Sequence, residues 1–180
     1  MLRGVQGSAP LRHFYLVLLD RALGDAVSAS RESAALVQSG PSLADTLART
    51  YGLALAARTL LDDGRPAEVL SIGASGYPVT AGDGLANASD RMVRAMALEA
   101  TGHRQDALDA YDSFDGAYLS DLVMAAPAHL RRAAMFEREH LIADARREYE
   151  QAFTLWRHPD PSFQLVKQVA ARRLAALRAE

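Results

Sequence analysis

The sequence predicts an all-α chain, a solenoid of about four antiparallel helix hairpins closed by a C-terminal capping helix. Three observations carry this. Alanine fills about a fifth of the 180 positions while β-branched residues are sparse, so local propensity leans towards helix. Apolar residues recur at helical spacing through most of the chain and are broken by glycine turns. The turn positions Gly24, Gly64, Gly102 and His140 stand 40, 38 and 38 residues apart, a period at which helical repeats stack.

Residues 1 to 9 hold two glycines and no periodicity and read as a loose tail. From Pro10 the residues Leu11, Tyr15, Leu18, Leu19 and Ala22 make an apolar face that ends at Gly24-Asp25, and a second helix runs from Ala26 to about Val37. The next hairpin spans Leu43 to Leu61, then Asp63-Gly64-Arg65-Pro66 and a short helix to Ile72. A third runs from Ala86 to Ala100, turns at Thr101-Gly102-His103 and continues from Gln105 to Phe114. The fourth pairs Pro127 to Glu139 with Ile142 to Trp156. One amphipathic hairpin cannot bury its apolar face alone, which is why the units are expected to stack as a single domain over residues 10 to 180.

Asp160-Pro161 then offers an N-cap and a first-turn proline. Along the helix that follows, Phe163, Val166, Ala170, Leu174 and Leu177 form one stripe. A terminal cap needs that pattern, with one side for the stack and one for water.

Ala95, Gly102, Ala107, Tyr111 and Phe114 in the third unit, and Ala133, Phe136, Ala145, Tyr149 and Ala152 in the fourth, resemble the tetratricopeptide repeat family. Its hairpins place small residues where helices cross and an aromatic beside them. The first two units depart from the pattern: Ser33 stands where the aromatic is expected, and Val69 and Gly73 where alanine and aromatic are expected. The stretch Tyr149 to Leu177 is also similar to the ends of repeat regions in bacterial multidomain regulators. The resemblance implies a right-handed solenoid that binds another protein, with the first helix of each hairpin lining a concave groove. Carried onto this chain, that geometry points Arg21, Tyr51, Arg58, Met92, Met96, Glu99 and Arg138 inward as the partner-binding groove. Arg58 interrupts the apolar run Leu53 to Leu61, where a buried cation is costly unless paired.

Composition narrows the other function classes. The absence of cysteine removes disulfides, thiolate zinc sites and thiol nucleophiles. The apolar run Phe14 to Leu19 ends at Asp20, too short for a spanning helix or a signal core, so a cytoplasmic protein is expected. The net charge of −2 argues against nucleic acid, although charge is uneven. Residues 82 to 121 hold three basic and eight acidic side chains, while residues 122 to 180 hold ten basic and seven acidic.

Several motifs invite sharper readings. The glycine-rich stretch 73 to 84 lacks the Gly-Lys-Ser/Thr ending of a phosphate loop and reads as a connector. Glu137 and His140 have the Glu-x-x-His spacing of di-iron bundles, without the second copy such sites need. Asp106, Asp109, Asp112 and Asp115 recur every third residue and read as an acidic strip or a solvated helix face. The pairs Arg131-Arg132, Arg146-Arg147 and Arg172-Arg173 would suit nucleic acid, but glutamates intervene. No catalytic residue, cofactor or metal ligand is assigned. The expected function is a non-enzymatic protein-interaction scaffold, adaptor or accessory subunit. The alternatives are a helical small-molecule binder or enzyme using the 73 to 84 connector, or a weak nucleic-acid binder through the C-terminal arginines.

Overall fold

A computed structural model describes residues 9–38, 43–72, 84–116, 118–158 and 161–179, and among them it is helical with no strand. The helices are α1 (Ala9–Ala22), α2 (Ala26–Gln38), α3 (Leu43–Asp62), α4 (Pro66–Ile72), α5 (Gly84–Ala100), α6 (Arg104–Asp112), α7 (Leu119–Arg138), α8 (Ile142–Leu155) and α9 (Gln164–Leu177). A 3-10 turn, Pro161–Phe163, leads into α9. The predicted tail and the 73 to 84 connector fall almost wholly outside the described residues.

The four predicted turns share one geometry. Gly24, Gly64 and Gly102 have φ of 74°, 72° and 80°, and His140 adopts 58° in the equivalent place. At each, the amide of the following residue donates to a carbonyl five positions back: Asp25 to Asp20 (2.8 Å), Arg65 to Leu60 (2.8 Å), His103 to Leu98 (2.9 Å) and Leu141 to Phe136 (2.9 Å). The left-handed residue closes this loop of hydrogen bonds and satisfies carbonyls that a helix end leaves open. The chain then reverses into the next helix. At the first turn Asp25 caps α2 by accepting the Ser28 amide at 2.9 Å, and the hydrogen bonds from Ser28 hold its carboxyl below the usual carboxylate range.

The chain divides into two compact units, Met1–Ala97 and Leu98–Glu180. In the first, Phe14 and Val17 of α1, Leu36 of α2, Tyr51, Ala54 and Leu55 of α3 and Ala86 of α5 form one core. Ala57 of α3, Val69 of α4 and Val93 and Ala97 of α5 form another. In the second unit Ala133, Ala145 and Tyr149 pack with Ala170, Leu174 and Leu177, so α7, α8 and α9 share one core. Small residues at the contacts let these helices approach closely.

Two elements differ from the sequence reading. Helix α7 begins at Leu119, eight residues before Pro127, and the proline lies inside it. An interior proline removes one hydrogen bond and crowds the carbonyl four residues back, a cost set against the burial of Ala125, Ala126 and Asp121 by the extension. In α9 only Ala170, Leu174 and Leu177 of the predicted stripe are buried, while Phe163 and Val166 are exposed. In the turn that leads into it, the Phe163 ring packs on Trp156 with the ring centres 5.1 Å apart. Lys167 crosses back to the end of α8, where its Nζ donates to the Trp156 carbonyl at 2.7 Å and complements the negative end of that helix.

Candidate functional site

The structure divides the seven expected groove residues. Arg21 is exposed in the last turn of α1. Tyr51 belongs to the core: it is 3% exposed, and its ring lies 5.1 Å from Phe14. A ring of that size is worth more buried between α1 and α3 than wet. Met92 is likewise buried and Met96 half-buried. Neither Tyr51 nor Met92 therefore lines a surface. Arg58 is exposed, and its Nε donates to both Asp62 oxygens at 3.0 and 3.1 Å. The expected strain of a buried cation does not arise there.

Glu99 and Arg138 are brought together across 39 residues. Arg138 Nη2 donates to Glu99 Oε1 at 2.8 Å, and Tyr111 Oη donates to Glu99 Oε2 at 2.8 Å. The same arrangement recurs one hairpin later: Tyr149 Oη donates to Glu137 Oε2 at 2.9 Å and Arg173 Nη1 to Glu137 Oε1 at 2.6 Å. Each carboxylate thus joins its own hairpin's tyrosine to an arginine of the helix that follows the hairpin, α7 for Glu99 and α9 for Glu137. Burial, reinforced by the carboxylates, pushes Tyr149 up to about 12 and Tyr111 higher still.

A second recurrent pair was not anticipated. His13 Nδ1 lies 2.8 Å from Glu32 Oε2, and His129 Nδ1 lies 2.8 Å from Glu148 Oε2. Both histidines stand eleven positions before the left-handed residue (13 to 24, 129 to 140), and both glutamates eight after it (24 to 32, 140 to 148). That register was readable once the hairpins were aligned on their turns, but individual histidines gave no sign of it. Around His129 the pair becomes a cluster. His129 Nε2 lies 3.0 Å from Asp115 Oδ1, and Arg132 reaches Asp112 at 3.0 Å, Asp115 at 3.2 Å and Glu148 at 3.2 Å. The cluster floors a cavity of about 460 Å³ whose apolar wall includes Leu122, Ala125 and Leu155.

This geometry limits the chemistry. Both His129 nitrogens face carboxylate oxygens, so the ring has no lone pair turned towards the cavity for proton abstraction. The ring separates the two carboxylates, and among the described residues no group of three His, Cys, Asp or Glu side chains is placed to hold a metal ion. Glu137 and His140 do not converge either: Glu137 holds Tyr149 and Arg173, while His140 is exposed at its turn. Of the acidic strip, Asp112 and Asp115 are tied to α7. Arg132, Arg147, Arg173 and Arg178 all pair with carboxylates of this unit. No described helix is long and apolar enough to cross a membrane.

No protein-family model matches the chain, and neither the curated proteins nor the solved structures give a match.

Proposed function

We propose that the chain is a non-enzymatic protein-interaction scaffold, a right-handed solenoid of about four tetratricopeptide-like hairpins plus a capping helix. It acts in the cytoplasm as an adaptor or as an accessory subunit of a larger assembly. One observation carries the reading: the His-Glu pair recurs at equivalent positions of the first and fourth hairpins, each set by a left-handed turn. Such recurrence is what a repeat architecture produces, because every unit solves the same packing problem against its neighbours. The engaged nitrogens of His129 favour a structural role for the most enzyme-like cluster in the chain. The exposed arginines Arg21, Arg58 and Arg138 are side chains of the type that anchors protein partners.

Affinity capture from the native lysate, with identification by mass spectrometry, tests this. The parent should retain a defined protein that the Arg21→Ala, Arg58→Ala double variant retains at least tenfold less well, with melting unchanged. A chain that captures no protein above background, yet melts higher with a small metabolite, would overturn the reading.

A further inference from the structure

Helix α9 joins its unit along only part of its length. Of residues 164 to 169, Lys167 is half-buried and the other five are exposed. Burial begins at Ala170 and continues at Leu174 and Leu177, positions i, i+4 and i+7 that share one helix face. One small and two large apolar side chains are thus what α9 buries, and α8 packs far more extensively along α7 than along α9.

The rest of the attachment is polar, and its ion pairs are wet. Arg173 Nη1 reaches Glu137 Oε1 at 2.6 Å and Arg178 Nη2 reaches Glu150 Oε1 at 2.7 Å, with the two arginine side chains 57% and 54% exposed. By contrast, the ties between α7 and α8 do not use α9: His129 and Arg132 meet the buried Glu148, and Tyr149 Oη donates to Glu137. The α7–α8 pair therefore keeps these bonds, and its left-handed turn at His140, when α9 is lifted away.

We propose that α9 is a salt-sensitive strap: it opens as one element from the α7–α8 pair, which stays folded, and rising ionic strength favours the open form. An element with few buried apolar contacts sits at the low end of local stability. Exposed ion pairs are screened by salt, whereas the contacts of His129 and Arg132 with Glu148 lie too deep to be weakened comparably. Opening uncovers Tyr149 and loosens the partly buried Leu130 and Phe153 of the shared core, with Glu137 and Glu150 released beside them. Ionic strength thereby controls access to an apolar face with an acidic edge.

Amide hydrogen exchange of the full chain at low and high sodium chloride tests this. At about 0.05 M salt, the amides of Ala170 to Leu174 should be protected at least about tenfold less than those of Ala145 to Ala152. Raising salt to about 0.5 M should lower protection in α9 a further two- to fivefold, roughly, and leave α8 unchanged. Reading the middle of α9 separates opening from fraying of its last turn. Arg173→Gln with Arg178→Gln should open α9 at low salt and remove the salt response, again without change in α8. Equal protection of α8 and α9 at both salts overturns the proposal, because the three helices would then open only together. Weak protection of α9 that salt does not alter overturns it as well, as does loss of protection in α8 alongside α9 in the arginine variant.

Discussion

His129 Nδ1 lies 2.8 Å from Glu148 Oε2, and both side chains are nearly inaccessible, at 9% and 3%. The equivalent pair, His13 and Glu32, has the same separation at 13% and 15% exposure. The two pairs differ in company: Glu148 also receives Arg132, mostly buried, at 3.2 Å, whereas the arginine beside Glu32 is Arg31, exposed and 3.7 Å away.

Removing the carboxylate should therefore cost more in the fourth hairpin than in the first. Glu148→Ala leaves both His129 and Arg132 without their shared buried acceptor and should lower unfolding free energy by about 3–5 kcal/mol. Glu32→Ala should cost about 1–2 kcal/mol. Urea unfolding of the two variants checks the ordering, and equal losses would show that the Arg132 contact contributes little.

His140 holds φ of 58° where three glycines hold the other turns. A side chain in that region carries a conformational penalty of about 1–2 kcal/mol, while glycine gives back part of the gain through its freer unfolded chain. His140→Gly should therefore raise stability by about 0.5–1 kcal/mol. Gly102→Ala should lower it by about 1 kcal/mol; an added Cβ there meets nothing within 4 Å, so the loss is conformational rather than steric. Thermal melts of both read the signs directly.

The turns were legible in the sequence because glycine has a specific backbone use, and the regular spacing extended the inference to His140. Helix content and the small residues at the crossings followed from the same pattern. The start of α7 was not legible: Pro127 reads as a first-turn residue, and only the burial of Asp121, Ala125 and Ala126 shows that packing outweighs the lost hydrogen bond. Burial along a helix face was the least accessible property. Tyr51 and Arg58 stand two turns apart on nearly the same side of α3, yet one enters the core and the other pairs with Asp62 in water, because what covers each turn is set by contacts remote in sequence.

Ala107 and Ala145 are fully buried, and Ala145 lies in the core shared by α7, α8 and α9. Ala107→Leu and Ala145→Leu each add three carbons where there is no free volume and should cost about 1–3 kcal/mol. Ala100→Leu, at an exposed position, serves as the control. Core variants that melt like the control would mean that the helices separate to admit the larger side chain.

Tyr149 sets a pH dependence whose sign follows from its surroundings. Its hydroxyl donates to Glu137 Oε2 at 2.9 Å, and burial first, then this carboxylate, push its ionisation up to about 12, against about 10 in an unfolded chain. Between those values the unfolded state has lost the phenolic proton and the folded state has kept it. The unfolded state then binds fewer protons, so stability falls as pH rises. The contribution is fully present below about pH 10 and is lost as pH rises towards about 12. Tyr149→Phe should cost about 1 kcal/mol at neutral pH through the missing hydrogen bond, yet its stability should decline less steeply over that alkaline window. The parent and variant curves therefore converge with rising pH. Tyr111, raised by its own burial beside Glu99, remains in the variant, so some alkaline decline persists. Unfolding free energies measured at successive pH values test the idea, and parallel curves through the window would show that the Tyr149 proton is not held by the fold.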